Sequence, residues 1–301
     1  MNAPVTSAVI GAQLEVADAL PGGAPLAGPI PLGQASTGRP AARRARRLGP
    51  GEAVRGGWLL GPFLLLLAWT TGSAAGLIDP RVLPAPWVAV TTAGDLIRDG
   101  RLQENLAISA WRAGQGLAWG VVVGVIAALA AGLSQLGGYA IDSLVQIKRS
   151  IPVLALIPLL VLWFGIGEGM KVTVIALSVF TPMYIQLHAA LRGLDVKHLE
   201  LAETLGLGRW DFIRHVVLPG ALPGFMTGLR FAVLGAWLAL VVVEQLNATS
   251  GIGYMINLAR TYAQSDVILV GLVVYALLGL VSDAAVRLVE ARVLAWRRTF
   301  A

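Results

Sequence analysis

Six stretches of the chain are apolar for long enough to cross a lipid bilayer, which restricts it to a helical membrane bundle. About 30 Å of hydrocarbon needs about 20 apolar residues in a helix, where every backbone N–H and C=O finds a partner within the segment. The stretches are residues 57–78, 105–133, 149–166, 171–191, 219–245 and 267–287 of 301. Composition agrees, with 56% of residues hydrophobic and only 13% charged, against about 25% charged in an ordinary soluble domain. An even number of spans puts both termini on one side. With the N-terminus in the cytoplasm, most of the 23 Lys and Arg residues fall in cytoplasmic segments (39–55, 148–149, 192–214 and 287–298). Arg81, Arg98, Arg101, Lys171 and Arg260 then lie outside, and Arg112 and Arg230 lie within spans.

Several function classes drop out. The chain has no cysteine and three scattered histidines, which leaves little for disulfides, thiolate chemistry or a metal site. The net charge of +6 comes mostly from arginines at the ends of apolar segments, so membrane topology explains it and no nucleic-acid partner is expected. Residues 1–56 are rich in Ala, Gly and Pro and close on the basic cluster Arg43, Arg44, Arg46 and Arg47. They read as a disordered cytoplasmic tail rather than a signal peptide, because the first long apolar run follows the arginines. The transmembrane domain is expected over residues 57–301.

Within the spans, Pro152, Pro158 and Pro182 predict kinks in the third and fourth helices. In the second, Gly116, Gly120, Gly124, Ala128 and Gly132 recur every four residues and offer a face that another helix can approach closely. Charges are costly there, about 2.5–3.5 kcal/mol each on insertion scales, and call for a partner or a water-filled path. Arg112, in the outer third of the second span, and Glu244, near the outer end of the fifth, are expected to pair, as a structural strut or as a gate. Arg230 lies roughly 21 Å from Glu244 along the same helix at about 1.5 Å per residue, so those two cannot meet. Two roles stay open for it: a counter-charge for an anion in transit, or a packing contact with an acid such as Asp283.

A polar helix-and-turn, Glu200 to Pro219, lies between the fourth and fifth spans. Asp195 can cap a helix over Val196–Leu205, stopped by Gly206 and Gly208, and Asp211 can start a second that runs to Pro219. So short a helix outside the bilayer needs something to pack on. Residues alone leave two candidates for that surface, the chain's own bundle or another protein.

The segment Glu200-Leu-Ala202, three residues, Gly206, nine residues, then Val216-Val-Leu218-Pro219 resembles the EAA signature of permease subunits of bacterial ABC importers, with Leu201 and Val216 as apolar replacements. The runs Ile151–Gly167, Leu218–Pro223, Gly228–Ala232 and Ser250–Met255 look like the aliphatic sulfonate, taurine and nitrate branch of that family, and the likeness covers roughly residues 81–298. The resemblance implies an all-α, type I ABC importer permease with six transmembrane helices and a cytoplasmic coupling helix between helices 4 and 5. It places Glu200, Ala202, Glu203, Gly206, Leu218 and Pro219 at the docking site for the ATPase. It also implies two ATPase subunits, an external substrate-binding protein, a second permease copy forming a homodimer, and a place in the bacterial inner membrane. ATP and magnesium would sit on the partner: none of Lys148, Lys171 and Lys197 follows a glycine, so the chain carries no Gly-x-x-x-x-Gly-Lys-Ser/Thr phosphate loop. Aliphatic sulfonate is the expected cargo, with taurine, nitrate, bicarbonate or a pyrimidine precursor as alternatives. A six-span secondary transporter is the reading from another class, and it lacks a visible inverted repeat. A membrane-embedded enzyme lacks a clustered nucleophile, base and metal set.

Overall fold

A computed structural model describes residue 57 and residues 60–296, all helix and connecting turn. The tail expected over residues 1–56 lies outside them. In chain order the helices are α1 (Leu60–Ala74), α2 (Pro86–Arg98), α3 (Arg101–Leu133), α4 (Gln135–Ser150), α5 (Val153–Phe164), α6 (Glu168–Arg192), α7 (Val196–Thr204), α8 (Arg209–Leu246), α9 (Ile252–Thr261) and α10 (Ser265–Val293).

Four of them, α3, α6, α8 and α10, are long and apolar enough to cross a membrane; they match the expected second, fourth, fifth and sixth spans. The other two expected spans are not among these four. The described part of the first, α1, has 15 residues and so reaches only about 22 Å. It ends because Gly76, at φ 70°, turns the chain back before residue 78. The third is not a kinked helix but a break: α4 and α5 meet at 88°. Ile151 takes an extended backbone ahead of Pro152, whose ring disfavours the helical region for its predecessor. Pro158 then falls in the first turn of the α-helical part of α5, where its missing N–H costs nothing. Pro182, in contrast, sits inside the single continuous helix α6.

Helix α6 forms the centre of the bundle, and small residues on both neighbours let it in. A methyl group at Gly120 of α3 would lie 2.6 Å from the Ala176 carbonyl oxygen and from Val179, and one at Gly132 would lie 2.8 Å from Leu191. The recurring small residues of α3 therefore face α6. On its other side, Gly224, Gly228 and Gly235 of α8 lie against Ala190, Gln186 and Ser178. Val174, Ile175 and Val179 of α6 are fully buried with Ala236, Leu240 and Val243 of α8. A second core joins α2, α9 and α10 through Leu96, Ile252, Ile256 and Val267.

Two lysines depart from the charge pattern of the sequence. Lys148, counted with the cytoplasmic cations, reaches the Leu177 carbonyl (2.5 Å) and the Thr181 hydroxyl near the middle of α6. Lys171, counted outside, is 3% exposed.

Candidate functional site

The end of the bundle where α6 begins holds a knot of polar groups. Glu244, fully buried on α8, accepts hydrogen bonds from Arg112 Nη1 (2.7 Å), the Ser109 hydroxyl (2.8 Å), the Gly253 N–H (2.9 Å) and the Tyr275 hydroxyl (3.0 Å). Ser109 in turn accepts the Ile252 N–H (2.9 Å), and the Gly251 N–H donates to Asn105 Oδ1 (2.7 Å). The carboxylate and its neighbours thus satisfy the free N–H groups at the start of α9, where a negative charge also meets the positive end of the helix dipole. Gly251 cannot carry a side chain here. Its φ is 108°, and a methyl group would overlap the Glu244 carboxylate.

Arg112, 3% exposed, uses the rest of its guanidinium on other elements. Nη1 also donates to the Ser250 carbonyl (2.6 Å) and Nη2 to the Ser250 hydroxyl (3.0 Å). Nε and Nη2 grip Glu168 at 2.6 and 2.7 Å, the parallel fork geometry that guanidinium and carboxylate favour. Glu168 also takes Lys171 Nζ at 2.8 Å. Arg112 and Glu244 therefore meet as anticipated, but within a network tying α3, α6, α8, α9 and α10 together. Glu168 was missed because it falls between the third and fourth apolar runs, and Lys171 because, at the first position of the fourth, it reads as an ordinary outside cation. The available signal was their i,i+3 spacing at a helix start.

Arg230 is placed elsewhere, with Nε 3.3 Å from Asp283 Oδ1, an acid that also holds Arg287. Of its two open roles, the contact is the packing one.

At the opposite end of α6, the polar turn folds as a helix and a tight stop. The Asp195 carboxylate caps α7 by accepting the Lys197 N–H (3.0 Å). Gly206, at φ 66°, ends it: the Gly206 N–H reaches the Glu203 carbonyl and the Leu207 N–H the Ala202 carbonyl, both at 3.0 Å, the paired bonds of a Schellman motif. Ala202 is buried, while Glu200, Glu203 and Gly206 are exposed together with Leu201, Leu205 and Trp210. Leu218 is exposed and Pro219 half-buried. The proline does not open a new helix; α8 runs through it from Arg209. A π-helical turn over Ile213–Val217 loosens the ladder directly ahead of the residue that lacks a donor.

Residues 120–295 match the family described as the inner membrane component of binding-protein-dependent transport systems. Among curated proteins, the chain is 41% identical to a putative aliphatic sulfonates transport permease protein of Escherichia coli K12, over 81% of this chain and 92% of that one. It is 37% identical to the protein of the same description from Bacillus subtilis 168, over 85% and 94%. The taurine transport system permease protein of E. coli K12 is 34% identical over 77% and 86%. Among solved structures, the fold resembles a chain of an amino acid ABC transporter, with a TM-score of 0.53 at 16% identity, covering 68% of this chain and 97% of that one. An all-helical bundle of this topology, matched in sequence over most of its length, belongs to the permease family of binding-protein-dependent ABC transport systems, as a multi-pass membrane subunit.

Proposed function

We propose that the chain is one half of the transmembrane pathway of an importer for small organic anions, with aliphatic sulfonates as the cargo. The observation that carries the docking part is the face of α7 and the turn after it. Leu201, Leu205 and Trp210 stand exposed beside Glu200 and Glu203, although a nine-residue helix is too short to hold itself in water unaided. Such a face fits a cleft on a cytoplasmic ATPase. ATP and magnesium belong on that partner, and Glu200, Ala202, Glu203, Gly206, Leu218 and Pro219 shape the contact. A second permease copy completes the pathway, an external binding protein delivers the cargo, and both termini face the cytoplasm. The cargo itself is supported by the names of the relatives, two of them aliphatic sulfonate permeases and a third a taurine permease.

The test is uptake of labelled ethanesulfonate, taurine and nitrate in cells with and without the chain, alongside Gly206→Arg. Loss of ethanesulfonate uptake in both strains is the expected result. Uptake that survives Gly206→Arg in an assembled complex would show that the turn is not the docking site. Loss of taurine or nitrate uptake instead would reassign the cargo.

A further inference from the structure

An open cleft of roughly 650 Å³ runs along α3 and α6, walled by Trp119, Val123, Val172 and Phe180, with Gln115 and Thr173 as polar points. Glu168 lines one end of it. Its side chain is 60% exposed, yet it holds two cations that are both 3% exposed and do not themselves line the cleft. Lys171 depends on it most: among the described residues, its ammonium makes one hydrogen bond, to Glu168. Burying a cation with a single partner that the chain itself leaves 60% exposed is an expensive arrangement if packing is its only purpose.

The donor geometry adds a chemical clue. Arg112 Nε, Arg112 Nη2 and Lys171 Nζ converge on a carboxylate, and two of these donors share Oε1 because a carboxylate has only two oxygens. A sulfonate head has three, one for each donor. The four charged groups, Arg112, Lys171, Glu168 and Glu244, sum to zero. Exchanging Glu168 for a monoanion keeps the buried charge balanced while the glutamate, 60% exposed by the chain, swings out.

We propose that Arg112 and Lys171 form an oxyanion site at the end of this cleft, filled in the present state by the chain's own Glu168, and that a sulfonate head takes its place during transport. The alkyl part of the ligand then lies against Trp119, Val172 and Phe180. Glu168 acts as an internal competitor, so removing its charge tightens ligand binding by the reciprocal of the fraction of time the site stands free of it. The inference rests on the organic-anion reading above and names the residues that reading lacks.

The experiment uses the full complex of permease, ATPase and binding protein in liposomes for uptake, and the purified permease in detergent for equilibrium binding of labelled ethanesulfonate. Glu168→Gln is expected to bind ethanesulfonate at least tenfold tighter than wild type, and Glu168→Gln combined with Lys171→Gln to lose that gain. In assembled complexes, Lys171→Gln alone is expected to cut uptake at least tenfold. A Glu168→Gln protein that binds no tighter, or a gain that survives Lys171→Gln, overturns the site. If Glu168→Gln fails to assemble, Glu168→Asp replaces it; its retracted carboxylate is expected to give several-fold tighter binding, and unchanged binding overturns the proposal equally. A wild-type complex that takes up no ethanesulfonate would sink the cargo reading instead, whereas wild-type uptake matched by Lys171→Gln would sink this site alone.

Discussion

The two ends of α6 are finished in opposite ways. Where the helix begins, the polar groups have partners within the chain: Glu244 alone accepts from Arg112, Ser109, Gly253 and Tyr275. About 36 Å away, where it ends, the polar turn carries Leu201, Leu205 and Trp210, which the described residues leave mostly exposed. A buried polar network is costly unless complete, and around Glu244 the chain's own residues complete it. An exposed apolar face is costly until another surface covers it. The contrast separates a joint completed within the chain from a face that the described residues leave uncovered.

That contrast can be broken first at the knot. Glu244→Ala would leave a buried guanidinium with fewer acceptors and strip the donors of Ser109, Tyr275 and the α9 N-terminus of theirs; about 3–5 kcal/mol of stability is at stake. Thermal unfolding in detergent should show a large drop in Tm, and a melting curve like wild type would mean the network is ornamental. Gly251→Ala tests the same joint through the backbone, with an expected loss of about 1–3 kcal/mol from overlap with the carboxylate. A clear but smaller fall in Tm is the expected reading. Leu205→Glu probes the other end: its stability should stay within about 0.5 kcal/mol of wild type, since the side chain is exposed, while co-purification of the ATPase is lost. A variant that melts early yet keeps its ATPase would reverse the assignment of the two ends.

Much of this was legible in the residues, for physical reasons that can be named. Long apolar runs located α3, α6, α8 and α10 because lipid tolerates few alternatives. The four-residue recurrence of small residues marked the α3 face before its partner was known. An acid and a base buried in neighbouring spans had little choice but to meet, hence Arg112 with Glu244. Legibility failed where the decisive fact is three-dimensional. Pro152 announced a disturbance, but whether a proline bends a helix or breaks it at 88° depends on the backbone of Ile151 and on where α5 finds its packing. Glu168 looked like an ordinary loop charge and Lys171 like a cation at a span end, since nothing local tells a solvated lysine from one folded beneath a carboxylate. Lys148 likewise read as a marker of topology, although its long side chain reaches the middle of α6.

Helix α8 has a mechanical consequence. It is 38 residues without interruption, a rod about 57 Å long with Trp210 near one tip and Glu244 near the other. It joins the exposed turn to the buried carboxylate as a single member, and its regular ladder is relaxed at the π-helical turn Ile213–Val217 and again at Pro223, which has no N–H to donate. A displacement of the turn would be passed on or absorbed as a local change of pitch at those points, the first of them five residues long and just ahead of Pro219.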